Sequence, residues 1–128
     1  MIMKKFINPN DLGKPTGYSH AVRVGNTIFV SGQTAMNEKG QIVGESDLAK
    51  QTEQAFHNLE KALHAAGANL KDVVKLNIYS TDQENYYKIR DVRAKYFPSN
   101  PPAGTGVIVK GLALKELMVE IDAIAVIE

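Results

Sequence analysis

The stretch Leu117-Met118-Val119-Glu120-Ile121-Asp122-Ala123-Ile124-Ala125-Val126-Ile127 decides how the rest of the chain is read. With the two-residue period of a β-strand, Leu117, Val119, Ile121, Ala123, Ala125 and Ile127 share one face, while Met118, Glu120, Asp122, Ile124, Val126 and Glu128 share the other. Apolar residues on both faces require a cover on both sides of the sheet. Glu120, in the middle of the strand, is costly to bury unless it is paired or reaches a cavity.

Working back from that strand, the alternation at Thr105 to Lys110 gives another, separated from it by a loop around Gly111 to Glu116. Pro98 stops a helix expected from about Asp82 to Phe97, capped by Thr81 or Asp82. Asp72 to Ser80 alternates as a half-buried strand, with Val74, Leu76 and Ile78 on one face and Lys75 and Asn77 on the other. From Leu48 to Ala66 the residues Leu48, Ala55, Phe56, Leu59, Ala62, Leu63 and Ala66 keep the three-four spacing of an amphipathic helix. Ser46 or Asp47 can cap its start, and Gly67 can end it in the left-handed conformation. Ala21 to Val24 and Thr27 to Gln33, joined by Gly25-Asn26, read as a β-hairpin, and Lys4 to Ile7 is a candidate additional strand. The order is β-β-α-β-α-β-β, an α+β domain spanning 1–128. Two helices cover only one face of such a sheet, so the face carrying Met118, Ile124 and Val126 calls for oligomerisation.

Composition bounds the function. A chain of 128 residues with 44% hydrophobic and 23% charged residues is an ordinary globular domain. The net charge of +1, from 15 basic and 14 acidic residues, leaves no polyanion footprint, so nucleic acid is not an expected partner. The absence of cysteine excludes disulfides, thiolate nucleophiles and thiolate metal sites. No apolar run approaches membrane-spanning length, and the opening residues lack a signal peptide's apolar core; the expected location is cytoplasmic. His57 and His64 lie about 10 Å apart along their helix, too far to share an ion. No phosphate-binding glycine loop or serine-hydrolase motif occurs, so nucleotide-binding and serine-hydrolase readings lack support.

Several fragments in register resemble the RidA/YjgF (L-PSP) family. They are Gly17-Tyr18-Ser19-His20-Ala21-Val22 with Gly25-Asn26, Phe29-Val30-Ser31-Gly32-Gln33, Ala65-Ala66-Gly67-Ala68 with Asp72-Val73-Val74-Lys75, Tyr96-Phe97, Pro101-Pro102-Ala103 and Val119-Glu120-Ile121-Asp122-Ala123-Ile124-Ala125. The resemblance implies a chorismate-mutase-like (YjgF-like) fold, a mixed sheet of about six strands on two helices, assembled as a homotrimer with clefts between subunits. It implies hydrolysis of amino-acid-derived imines to a 2-oxo acid and ammonia, without cofactor. Carried over, Glu120 is the water-positioning catalytic residue, and Tyr18 and Ser31 are substrate-binding residues. The family arginine that grips the substrate carboxylate is absent, because Pro102-Ala103-Gly104-Thr105 places Gly104 where the guanidinium belongs. Gly106 replaces a cysteine of some relatives, and Arg90 stands where many have asparagine.

A glycine makes no bidentate contact, and a charge-assisted hydrogen bond contributes about 1.5 to 3 kcal/mol, so carboxylate-bearing substrates should lose about ten- to a hundredfold or more. Typical 2-iminopropanoate/2-iminobutanoate deaminase activity is therefore not expected to carry over unchanged. Either Arg90 delivers a guanidinium from the helix side, or the ligand, a small polar metabolite, carries no carboxylate. The substrate-binding set is accordingly Tyr18, Ser31, Arg90, Gly104 and Thr105. Blander readings stand beside these: a structural ion pair for Glu120, a wedging tyrosine at Tyr18, a backbone-bonded hydroxyl at Ser31 and a solvated helix face at Arg90. The alternative function is a non-catalytic trimer that binds a metabolite or a protein; ribonuclease activity, a label borne by some relatives, has no basic stripe to support it.

Overall fold

The spacing of Ala55, Phe56, Leu59, Ala62 and Leu63 produces the main helix of the computed structural model, which describes residues 3–128. This helix, α1 (Leu48–Ala65), buries all five side chains. Asp47, in extended conformation, caps it by accepting the Lys50 N–H at 3.0 Å, so Asp47 rather than Ser46 does this work. At the other end Gly67 turns with φ 89°, and Arg23 donates to the Ala66 carbonyl at 2.9 Å, tying the helix end to the sheet.

The strands are β1 (Lys4–Ile7), β2 (Ala21–Val24), β3 (Thr27–Gln33), β4 (Val73–Ser80), β5 (Ala103–Ile108) and β6 (Val119–Val126); the second helix is α2 (Tyr86–Tyr96). They form one mixed sheet in the order β1-β2-β3-β6-β4-β5, in which only β4 and β5 run parallel. The last strand of the chain is thus inserted at the centre, antiparallel to neighbours on both sides, as its two apolar faces require. The connection through α1 steps from β3 over β6 to β4, and α2 carries the chain from β4 to its parallel neighbour β5.

Both helices pack on one face. There Phe56, Leu59 and Leu63 of α1 and Ile89 and Val92 of α2 meet Ile28, Val30, Leu76, Ile78, Val119, Ile121, Ala123 and Ala125. Phe56 stacks on Tyr96 with ring centroids 5.0 Å apart and meets Phe97 edge-on. Among the described residues none forms a layer over the opposite face: Phe6, Val22, Phe29 and Ile124 form a row across four strands, with Phe6 67% and Phe29 48% exposed.

Three local expectations are corrected. The second helix begins at Tyr86 rather than near Asp82, because the Asp82 carboxylate holds a preceding turn, accepting from the Asn85 backbone at 3.1 Å and side chain at 2.9 Å. Val74 does not share a face with Leu76 and Ile78: it is the extra residue of a bulge between Val73 and Lys75, and Val73 takes the buried place. The strand expected from Thr105 starts at Ala103, where pairing with Lys75 begins.

Candidate functional site

A second bulge shapes the other end of β3. Val30 pairs with Ala123 and Gln33 with Ile121, so Ser31 and Gly32 together stand opposite Asp122. Bulges of this kind re-aim side chains and leave a local gap in the ladder. Here the gap opens beside Glu120, and Gly32 is what makes room: a Cβ at that position would come within 2.7 Å of the Glu120 carboxyl carbon.

The bulge is held from behind. Ser31 donates its N–H to the His20 carbonyl at 2.9 Å and its hydroxyl to the Ser19 carbonyl. Gln33, 3% exposed, donates to the Ser31 carbonyl at 3.1 Å and faces His20 Nδ1 at 3.3 Å. Since His20 Nε2 contacts the Gly13 carbonyl, which only accepts, the ring proton belongs on Nε2 and Nδ1 accepts from Gln33. The start of β6 is pinned from the helix layer by Gln51, fully buried, which donates to the Glu116 carbonyl at 2.9 Å and accepts the Met118 N–H at 2.8 Å. Glu120 is therefore carried on a strand fixed just ahead of it.

The resulting cavity, about 400 Å³, is lined by Tyr18, Ser31, Gly32, Thr34, Met36, Ala113, Leu114, Leu117 and Glu120. Burial raises the Glu120 pKa above the usual carboxylate range, and the neighbouring Asp122 charge pushes in the same direction. Asp122 accepts from Asn77 at 2.8 Å and from the Tyr79 hydroxyl at 2.9 Å, and that hydrogen bond is the leading cause of a raised Tyr79 pKa. A group half-buried beside like charge and facing open space is suited to take and return a proton. A smaller cavity of about 130 Å³ lies across the shared wall of Tyr18, Gly32, Thr34 and Met36 and includes Lys14, His20 and Gln33.

Of the residues singled out from the sequence, the fold brings Tyr18, Ser31 and Glu120 to one cavity. Gly104 and Thr105 lie on β5, two strand spacings or about 10 Å from β6, where Thr105 accepts a hydrogen bond from Lys75 at 2.8 Å. Arg90 is exposed on α2, in the layer behind the sheet. Near it the Tyr86 hydroxyl sits over Gly106, whose missing Cβ would come within 3.0 Å of Tyr86 Cζ. From the sequence, Tyr86 stands out only as a helix-face residue, and Gln33, Gln51, Thr34 and Leu114 carry no assigned role. The glycine at 106, on the same side of its strand as Gly104, was the one signal that something approaches there. Among the described residues no three His, Asp or Glu side chains converge as a metal site, and no helix is long and apolar enough to cross a membrane.

Fold and cavity together define a small α+β protein with a carboxylate-centred pocket at the end of a central antiparallel strand. Residues 10–127 match the family described as endoribonuclease L-PSP, and the chain belongs to that family, the RidA/YjgF group of its sequence motifs. It is 37% identical to a RutC family protein of Pyrococcus horikoshii over 96% of this chain and 98% of that protein. It is 38% identical to a 2-iminobutanoate/2-iminopropanoate deaminase of Dermatophagoides farinae over the full length of both. The crystal structure of the YjgF gene product of E. coli superposes with a TM-score of 0.89 at 30% identity, covering 97% of this chain and 99% of that one.

Proposed function

We propose that this chain hydrolyses an imine or enamine, or a related C–N bond, in the Glu120 cavity, and that it does so as a homotrimer. The observation that carries the reading is the Glu120 carboxylate held against Gly32 in a cavity that Tyr18 and Ser31 also line. In the reaction, Glu120 takes a proton from water as the oxygen bonds to the imine carbon. The proton passes to nitrogen to give a carbinolamine; its hydroxyl proton then moves to the nitrogen as the C=O forms and the C–N bond breaks, and a carbonyl compound and ammonia leave. Water supplies both protons, and Glu120 only relays them.

Trimer formation is supported by two features of one protomer. Tyr18 is 53% exposed at the cavity rim, so a single chain leaves the pocket open, and the Phe6–Val22–Phe29–Ile124 row is an apolar surface that a second copy would cover. A second reading, a binding trimer without turnover, draws support from Gly104, which offers no side chain to hold an anion.

Glu120→Gln separates the two. Hydrolysis of an imine generated in the assay and followed by ammonia release should fall about a hundredfold or more, with the sedimentation coefficient unchanged. Undiminished turnover in that variant would remove Glu120 from the chemistry.

A further inference from the structure

Resting on the assignment of Glu120 above, we propose that Gln33, oriented by His20, is a positioning residue that holds the Ser31–Gly32 peptide closed against the Glu120 carboxylate. Gln33 lines the smaller cavity and is absent from the wall of the Glu120 cavity, so it acts through the bulge and touches no group reacting there. The end of the β2–β3 ladder shows why a side chain is needed. Ser31 donates its N–H to the His20 carbonyl, but the His20 N–H turns to the Asn8 side chain at 2.9 Å, which leaves the Ser31 carbonyl for Gln33 Nε2. That carbonyl and the Gly32 N–H belong to one planar unit, so fixing the oxygen fixes the tilt of the peptide and the path of Gly32.

His20 decides which way the amide faces. With Nδ1 as an acceptor on one side and the Ser31 carbonyl on the other, only the NH2 group of Gln33 satisfies both; a flipped amide would set its oxygen against two acceptors. His20 is 6% and Gln33 3% exposed, so water is poorly placed to substitute for either contact.

Glu120 registers the result. Space at Gly32 is too small for even a Cβ, so a slight tilt of that peptide decides how much water reaches the carboxylate. The raised pKa of Glu120 comes first from burial and second from Asp122 on the same strand. The other titratable groups facing it are Tyr79, opposite on β4, and Tyr18 at the cavity rim. Opening the bulge admits water and therefore lowers that pKa towards the ordinary carboxylate range.

The test titrates Glu120 directly, through the NMR shift of its side-chain carboxyl carbon, with Glu120→Gln identifying the resonance. Wild type, Gln33→Met and His20→Ala are compared at equal sedimentation coefficient, so whatever a second copy adds to the cavity is common to all of them. The expected result is a lower midpoint in Gln33→Met, a smaller lowering in His20→Ala, and a return towards wild type in His20→Asn, which restores an acceptor near the Nδ1 position. An amide that only supports the fold would lower thermal stability and leave the Glu120 titration in place; a midpoint unchanged or raised in the folded variants overturns the proposal. Should Gln33→Met fail to fold, the contrast between His20→Ala and His20→Asn decides in the same way. In imine hydrolysis the acidic limb of the rate profile should follow the titration downwards, with kcat reduced about tenfold or more and KM changed less. Absence of turnover in wild type refutes the hydrolytic reading alone, since the titration needs no substrate.

Discussion

On the helix side of the sheet, Ile28, Val30, Leu76, Ile78, Val119 and Ile121 are at most 4% exposed, whereas on the other side Phe29 is 48% and Phe6 67% exposed. β3 alone supplies Ile28 and Val30 to one side and Phe29 to the other by alternation, so the contrast isolates what a cover does. Under the helices most side chains are apolar and closely packed, with Gln51, Thr52 and Ser80 buried among them, and the sheet there provides stability. On the open face apolar residues share the surface with Glu120, Asp122, Asn77 and Tyr79, hydrogen-bonded to one another in part and leading to the cavity. One face holds the fold together; the other keeps a carboxylate half-buried and leaves surface for a second copy.

The largest expected effect belongs to the covered face. Phe56→Ala removes a ring that contacts both Tyr96 and Phe97 and should cost about 3 to 5 kcal/mol of unfolding free energy, read from the denaturation midpoint. A loss below about 1 kcal/mol would mean that the helix layer is not the principal core. Phe29→Ser is the matched change on the open face. Its ring is already half in water, so the protomer should lose no more than about 1 kcal/mol while the assembly shifts towards monomer in sedimentation. A variant that stays fully assembled breaks the assignment of this face to subunit contact. The smallest effect is a pH shift. Glu120 acts as a base only when ionised, so activity falls as pH drops through its raised pKa. Asp122→Asn removes one cause of that rise and should move the acidic limb of the rate profile to lower pH. A limb that stays in place, or moves up, separates Asp122 from the titration.

Much of the covered face could be read from the chain, because burial there imposes a period. Phe56, Leu59 and Leu63 recur at helical spacing, and Val119, Ile121, Ala123 and Ala125 recur at strand spacing, whatever lies opposite. What the period does not encode is register. The bulge at Ser31–Gly32 exists only relative to β6, and Val74 leaves the buried row only because Val73 pairs with Ala125. The late start of α2 has a similar origin, since Asp82 suits a helix cap and a turn equally well and its bonds to Asn85 settle for the turn. At the cavity, Tyr18, Ser31 and Glu120 were singled out through family motifs. Gln33 and Gln51 carried no comparable mark, since a buried amide is recognisable only once its backbone partners are in place.

Gly32 and Glu120 occupy a single shared volume, one contributing the space and the other filling it. Drift at the two positions is consequently coupled. Any side chain acquired at 32 must push the Glu120 carboxyl out of its present place or be met by a shorter residue at 120, and a lineage that gives up the acid is free to fill the glycine. Among relatives of this chain, the pair should therefore vary together, and a bulkier residue at 32 would mark descendants in which the carboxylate has moved from this position or been abandoned.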